Sequence, residues 1–334
     1  MREPPDLTTA AIAGALQDGF GIRVAGLSFL PAGNDADSWA YRVEEVGGPS
    51  RFLKVRSGAG AMPGAAVPAY LRRRGTPRVL APLPTRAGEP YLAVDRFGLA
   101  LYPMLDAHTG AEAGLSPGQW RALGAVLAEV HATPATPELL RLVGRERFRP
   151  SRRGLLPKLE AALATADPAD PVAGRLARSW RAHRAVIDAL VDQADRLGRE
   201  LARSPAPAPV VLCHADLHTW NVLVDATGHL WITDWDEAVL APRERDLMFV
   251  VGGIGHGLVT PVTTASFLDG YGEVTADTTL LAYYRCAWAA QDIAAYAEQA
   301  LLSPAGEATR GAAVEGFENL FAPGNIVDLA SRQE

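Results

Sequence analysis

A change of hydrophobic period near residue 105 constrains this chain more than any other feature. Before it, residues 23–29, 38–46, 51–56, 91–95 and 99–103 are strand-like, alternating in the period of two that turns one face of a strand to a core. Gly47-Gly48-Pro49 and Phe97-Gly98 are expected as hairpin turns. From Ala107 the spacing becomes helical. Ser116 can cap, Pro117 is tolerated in a first turn, and Trp120, Leu123, Leu127 and Val130 recur on one face. Further helices are expected near 65–74, 171–203 and 279–302, while 210–213, 222–224 and 230–233 read as short strands around a turn at Ala226-Thr227-Gly228. The expected fold class is therefore α+β. A small antiparallel-sheet lobe, residues 1–105, precedes a larger and mainly helical lobe, residues 106–334, into which a β-hairpin is inserted.

No stretch reaches the ~18 uninterrupted apolar residues of a spanning helix, and Met1 to Gly21 lacks a basic region followed by a long apolar run. A cytoplasmic protein without a membrane partner is expected. The net charge of −6 has the wrong sign for gripping nucleic acid and would instead attract a cationic small molecule. Cys213 and Cys286 have no metal or redox spacing, so no disulfide is expected.

The densest chemical signal is His214-Ala-Asp216-Leu-His218-Thr-Trp-Asn221, followed after a hairpin by Asp234-Trp-Asp236. Phosphoryl transfer needs a carboxylate beside the attacking hydroxyl and oxygen ligands for Mg²⁺. A loop and a returning strand can supply both. The pattern His-x-Asp-Leu-His-x-x-Asn, then Asp-Trp-Asp, resembles the aminoglycoside phosphotransferase family. That resemblance implies a bilobal protein-kinase-like fold, Mg-ATP as cofactor, Asp216 as catalytic base, Asn221 and Asp234 as metal ligands, and His214 as a support of the loop. Phe52-Leu-Lys54-Val-Arg56, Leu240-Ala-Pro-Arg-Glu-Arg-Asp246-Leu-Met-Phe249 and Pro323-Gly-Asn-Ile-Val327 resemble its spectinomycin phosphotransferase branch. The implied activity is ATP-dependent phosphorylation of a hydroxyl on an aminoglycoside or aminocyclitol antibiotic, giving resistance. A kinase of choline, homoserine or a sugar would share the loop, and a non-catalytic nucleotide-binding module is a third reading. A hydrolytic metal centre built from the same histidines and aspartates would leave Asn221 and the hairpin spacing without a role.

Lys54 is the only lysine in the first hundred residues, and its place in a strand after a hairpin fits a lysine contacting the α- and β-phosphates. The preceding loop, with Gly33, Asn34 and Ser38, can offer backbone N–H groups to phosphate oxygens. Tyr102 to Asp106, with Tyr102 and Met104 as contacts, is expected as an adenine hinge. Protein kinases pair this lysine with a helical glutamate, yet no acidic residue occurs from Ser57 to Gly88. Lys54 is therefore expected to be held by Asp234, by a carboxylate of the Asn34 to Asp37 loop, or by the nucleotide. For a cationic acceptor, carboxylates and aromatic faces are required. Asp236 and Asp292 are the candidate carboxylates, and Trp220, Trp235, Tyr283, Tyr284 and Trp288 the candidate surfaces.

Overall fold

The alternation of the first hundred residues becomes one five-stranded antiparallel sheet in the computed structural model. Residues 3–31, 37–58, 62–167, 169–204, 208–251, 259–303 and 305–332 are described. Helix α1 (Thr9–Phe20) precedes strands β1 (Val24–Leu30), β2 (Ser38–Glu45) and β3 (Arg51–Ser57), and helix α2 (Pro63–Arg73) leads to β4 (Leu92–Val94) and β5 (Phe97–Pro103). Next come β6 (Ala107–Thr109), α3 (Gly110–Ala113), α4 (Pro117–His131), α5 (Pro137–Leu142) and β7 (Gly144–Arg145). Helices α6 (Leu156–Ala164) and α7 (Pro171–Ala202) are followed by β8 (Val210–Cys213), β9 (Val222–Asp225), β10 (Leu230–Ile232) and β11 (Val239–Pro242). The chain then runs through α8 (Glu244–Leu247), α9 (Pro261–Tyr271), α10 (Thr278–Leu301), α11 (Glu307–Asn319) and α12 (Ile326–Ser331).

These elements form two compact units, each built from separated stretches of chain. One comprises Arg2–Gly144 with His214–Val239, the other Arg145–Cys213 with Leu240–Glu334. In the first, strand order β1-β2-β3-β5-β4 puts β3 at the sheet centre, with Lys54 opposite Ala40 and Ala100. Val43, Leu53, Val55, Leu99 and Leu101 fill one side of that sheet against Ile12 and Leu16 of α1. The second hairpin turn lies at Asp95-Arg96, not at Phe97-Gly98, because Val94 pairs with Phe97 and Asp95 takes the positive φ of 51°. Aspartate tolerates that conformation better than most side chains. Gly98 is instead a packing position, where a Cβ would stand 2.1 Å from the Met62 sulfur. A three-residue strand at Ala107–Thr109, too short to show a period, pairs with β9 and makes a second sheet of order β10-β9-β6.

In the other unit α7 and α10 pack together, and α11 adds Phe317, whose ring stacks on Trp180 at 5.7 Å. Its three-stranded sheet has the order β7-β11-β8. Cys213 and Cys286 are free and buried, as expected. Among the described residues no helix is long and apolar enough to cross a membrane.

Candidate active site

Residues 214–221 form the loop that enters β9, and side-chain bonds to its own backbone hold it. His214 is fully buried. Its Nε2 donates to the Thr233 carbonyl at 2.7 Å, its Nδ1 accepts from the Asp216 amide at 3.2 Å, and its ring lies 4.6 Å from that of Trp235. One imidazole thus ties the start of the loop to the end of the β9–β10 hairpin. Asn221 Nδ2 donates to the Asp216 carbonyl at 2.8 Å and to Asp216 Oδ2 at 3.0 Å, while His218 Nε2 stands 3.4 Å from the same carboxylate oxygen. Two non-glycine residues here are left-handed, Ala215 at φ 69° and Asp234 at φ 59°. Each such residue costs on the order of 1–3 kcal/mol and persists where the surroundings over-determine it.

Lys54 leaves the sheet centre for two carboxylates. Its Nζ donates to Asp234 Oδ1 at 2.8 Å and to Asp236 Oδ2 at 2.7 Å, and Arg56 Nη1 donates to the same Asp236 oxygen at 2.6 Å. Of the partners expected for Lys54, Asp234 is met, joined by Asp236, while residues 32–36 of the expected loop lie outside the described residues. Burial works against the lysine's charge, but the two aspartates outweigh it and raise the ammonium above its ordinary value. Desolvation likewise opposes ionisation of Asp234, and the charge and hydrogen bond of Lys54 reverse it, leaving that carboxyl lowered. At Asp216 desolvation is again overcome, here by the hydrogen bond and charge of His218. All of these groups lie within one unit. A lysine, a loop carboxylate and a second carboxylate at the hairpin's end, all ionised near neutrality, are groups that could hold a polyanion and a metal.

Residues 27–284 match the phosphotransferase enzyme family. The chain belongs to that family. It is 35% identical over 227 residues to Protein StrN of Streptomyces griseus, covering 66% of this chain and 68% of that protein. Among solved structures, spectinomycin phosphotransferase APH(9)-Ia in complex with ADP and spectinomycin is 29% identical over 98% of each chain, with a TM-score of 0.86. An amicoumacin kinase, 19% identical over 96% of this chain and 93% of its own with a TM-score of 0.62, shares the fold. The chain is thus a phosphotransferase with the kinase-like α+β fold expected from its sequence.

The remaining candidates fall in several places. Gly33 and Asn34 lie outside the described residues. Ser38 opens β2 opposite Arg56, and neighbouring Asp37 accepts from the Ser57 hydroxyl at 2.8 Å. Tyr102 is buried in β5 with its hydroxyl donating to the Gly64 carbonyl at 3.1 Å, and Met104, half-buried, follows the strand. Trp220 is 57% exposed beside the loop. In the other unit Trp288 meets Phe249 edge-on at 4.9 Å, and Asp292 lies one turn further along α10. Trp235, Tyr283 and Tyr284 are corrected from ring-binding surfaces to core: none exceeds 1% exposure, and both tyrosines pack on Phe148. Their positions on α10 share the period of the core, so spacing alone did not separate them from Trp288. Sequence reasoning missed Arg56 and Gly64 as neighbours of Asp236. The signal was the missing acid between Ser57 and Gly88.

Proposed function

We propose that this phosphotransferase moves the terminal phosphate of Mg-ATP to a hydroxyl of a spectinomycin-like aminocyclitol, and so protects a cell from it. The observation that carries the proposal is Asp216, its Oδ2 fixed by Asn221 Nδ2 at 3.0 Å while Lys54 and Asp234 converge at 2.8 Å. Asp216 is the base: held ionised, it takes the proton of the acceptor hydroxyl as that oxygen bonds to the phosphorus and the bond to the ADP oxygen breaks. Lys54 meets the α- and β-phosphates, with the turn at Gly33, Asn34 and Ser38 and the segment Tyr102–Met104 holding the rest of the nucleotide. On this reading residues 1–105 bind nucleotide and 106–334 carry the chemistry and the acceptor.

The donor set suits magnesium, a hard ion that prefers oxygen. Asn221 uses its nitrogen on Asp216 and so keeps Oδ1, and Asp234 keeps a second oxygen on a side chain that is 47% exposed. These two would hold the ion, which when bound neutralises charge building on the phosphates. The exposed ring of Trp220 would face the acceptor's rings.

Likeness to a spectinomycin phosphotransferase over 98% of both chains supports the compact aminocyclitol over multi-ring aminoglycosides. Steady-state kinetics with Mg-ATP, spectinomycin, kanamycin, choline and homoserine test it. Turnover of spectinomycin well above the others is expected, and faster turnover of kanamycin or of a metabolite overturns the choice of acceptor.

A further inference from the structure

In protein kinases the nucleotide's lysine is aimed by a glutamate on a neighbouring helix. Helix α2 has no acidic residue to offer, nor does any position from Ser57 to Gly88. The carboxylate comes instead from 182 residues later in the chain, where Asp236 Oδ2 accepts from Lys54 at 2.7 Å and from Arg56 at 2.6 Å. The Asp236 side chain is 12% exposed. Its other oxygen, Oδ1, is buried without a hydrogen bond to the described residues. That oxygen is wedged against Gly64 in the first turn of α2, where a Cβ would stand 1.8 Å from Oδ1 and 2.9 Å from Cγ. The turn carries the positive end of an 11-residue helix, and the Tyr102 hydroxyl fixes it through the Gly64 carbonyl at 3.1 Å. A carboxylate between two cations and a helix start has little room or charge to spare for an acceptor's ammonium.

We propose that Asp236 is a positioning residue of the nucleotide half of the site, the replacement for the missing helix carboxylate, and that Gly64 is the clearance through which it reaches Lys54. This rests on the phosphotransferase reading, in which Lys54 touches phosphate, and it takes Asp236 away from the acceptor role suggested by the sequence. Asp234 also meets Lys54, but it is the carboxylate wanted by the metal. Asp236 is the partner that can remain with the lysine.

The test compares the unaltered protein with Asp236→Asn, Gly64→Ala and the double variant. Calorimetry gives the affinity for ADP with EDTA and with Mg²⁺, and kinetics give both KM values and kcat. Each single change should weaken ADP by about tenfold or more even without metal and lower kcat, with the acceptor's KM within about twofold. The double variant should be no worse than Asp236→Asn, since both changes act through one carboxylate. Gly64→Ala keeps every charge, so it decides the question alone if Asp236→Asn fails to fold. Unchanged ADP affinity in both single variants, or a defect confined to the acceptor's KM, overturns the proposal. An unaltered protein that binds no ADP would sink the reading of Lys54 as the phosphate-contacting lysine and this inference with it.

Discussion

Asp216 and Asp234 sit in similar surroundings but are assigned different work, and substitutions should separate them. Asp216→Asn should lower kcat by on the order of 10²–10⁴ with little change in Mg-ADP affinity, because a lost base affects proton transfer and not nucleotide contact. Asp234→Asn should weaken Mg-ADP binding as well, and calorimetry on the two variants reads the difference. The charge of Asp216 is itself set by a neighbour. His218 holds the Asp216 carboxyl below the ordinary aspartate value of ~3.9, so protonation, and with it the acid limb of the kcat/KM profile, is expected at lower pH than that. Replacing His218 by Gln removes the lowering interaction and should move that limb toward neutral pH. An unmoved limb would show that another group limits the rate in acid. The placement of Asp216, Asn221 and Asp234 around the β9–β10 hairpin was legible because they are close in sequence. Asp236's engagement with Lys54 was not, because a contact across 182 residues leaves no local pattern.

At the scale of elements, the β9–β10 hairpin depends on one side chain. Asp225 Oδ1 accepts from the Thr227 amide at 2.9 Å and the His229 amide at 3.0 Å, and its Oδ2 accepts from Trp231 Nε1 at 2.8 Å. Hydrogen bonds from the Thr227 hydroxyl and Trp231 lower its pKa first and most. A carboxyl lowered in the folded state contributes stability that is full above its unfolded value and fades as pH falls through the folded one. Asp225→Ala should therefore reduce Tm at neutral pH, and its deficit should shrink as the pH drops below ~4. A deficit independent of pH would mean that packing, not the carboxylate, does the work. The long helices were readable because their signals are local: Ser116 and Gln119 form the capping box of α4, and Asp170 caps α7. The short strands β6, β7 and β11 are two to four residues long, less than the stretch a period of two needs to show itself.

At the scale of the molecule, the net charge of −6 favours a cationic acceptor over the anionic nucleotide before either touches the site. Raising the salt concentration should therefore increase the acceptor's KM. A KM insensitive to salt would assign acceptor binding to ring stacking and shape alone. The expectation of a lobe ending at residue 105 follows the change of period. The contacts follow a different rule, because the unit of the five-stranded sheet also holds the chain from His214 to Val239. Within it Val79 bridges Ile232, and His108 pairs with Val224. This return has a consequence for how the protein is made. Chains emerge from the ribosome at roughly 5–20 residues per second, so the strand partners of Ala107–Thr109 follow that strand by several seconds or more. Until they arrive, β6 is an open edge, and Asp216, Asn221, Asp234 and Asp236 are still absent. The nascent sheet can form early, but it acquires chemical competence only when the late hairpin closes on it.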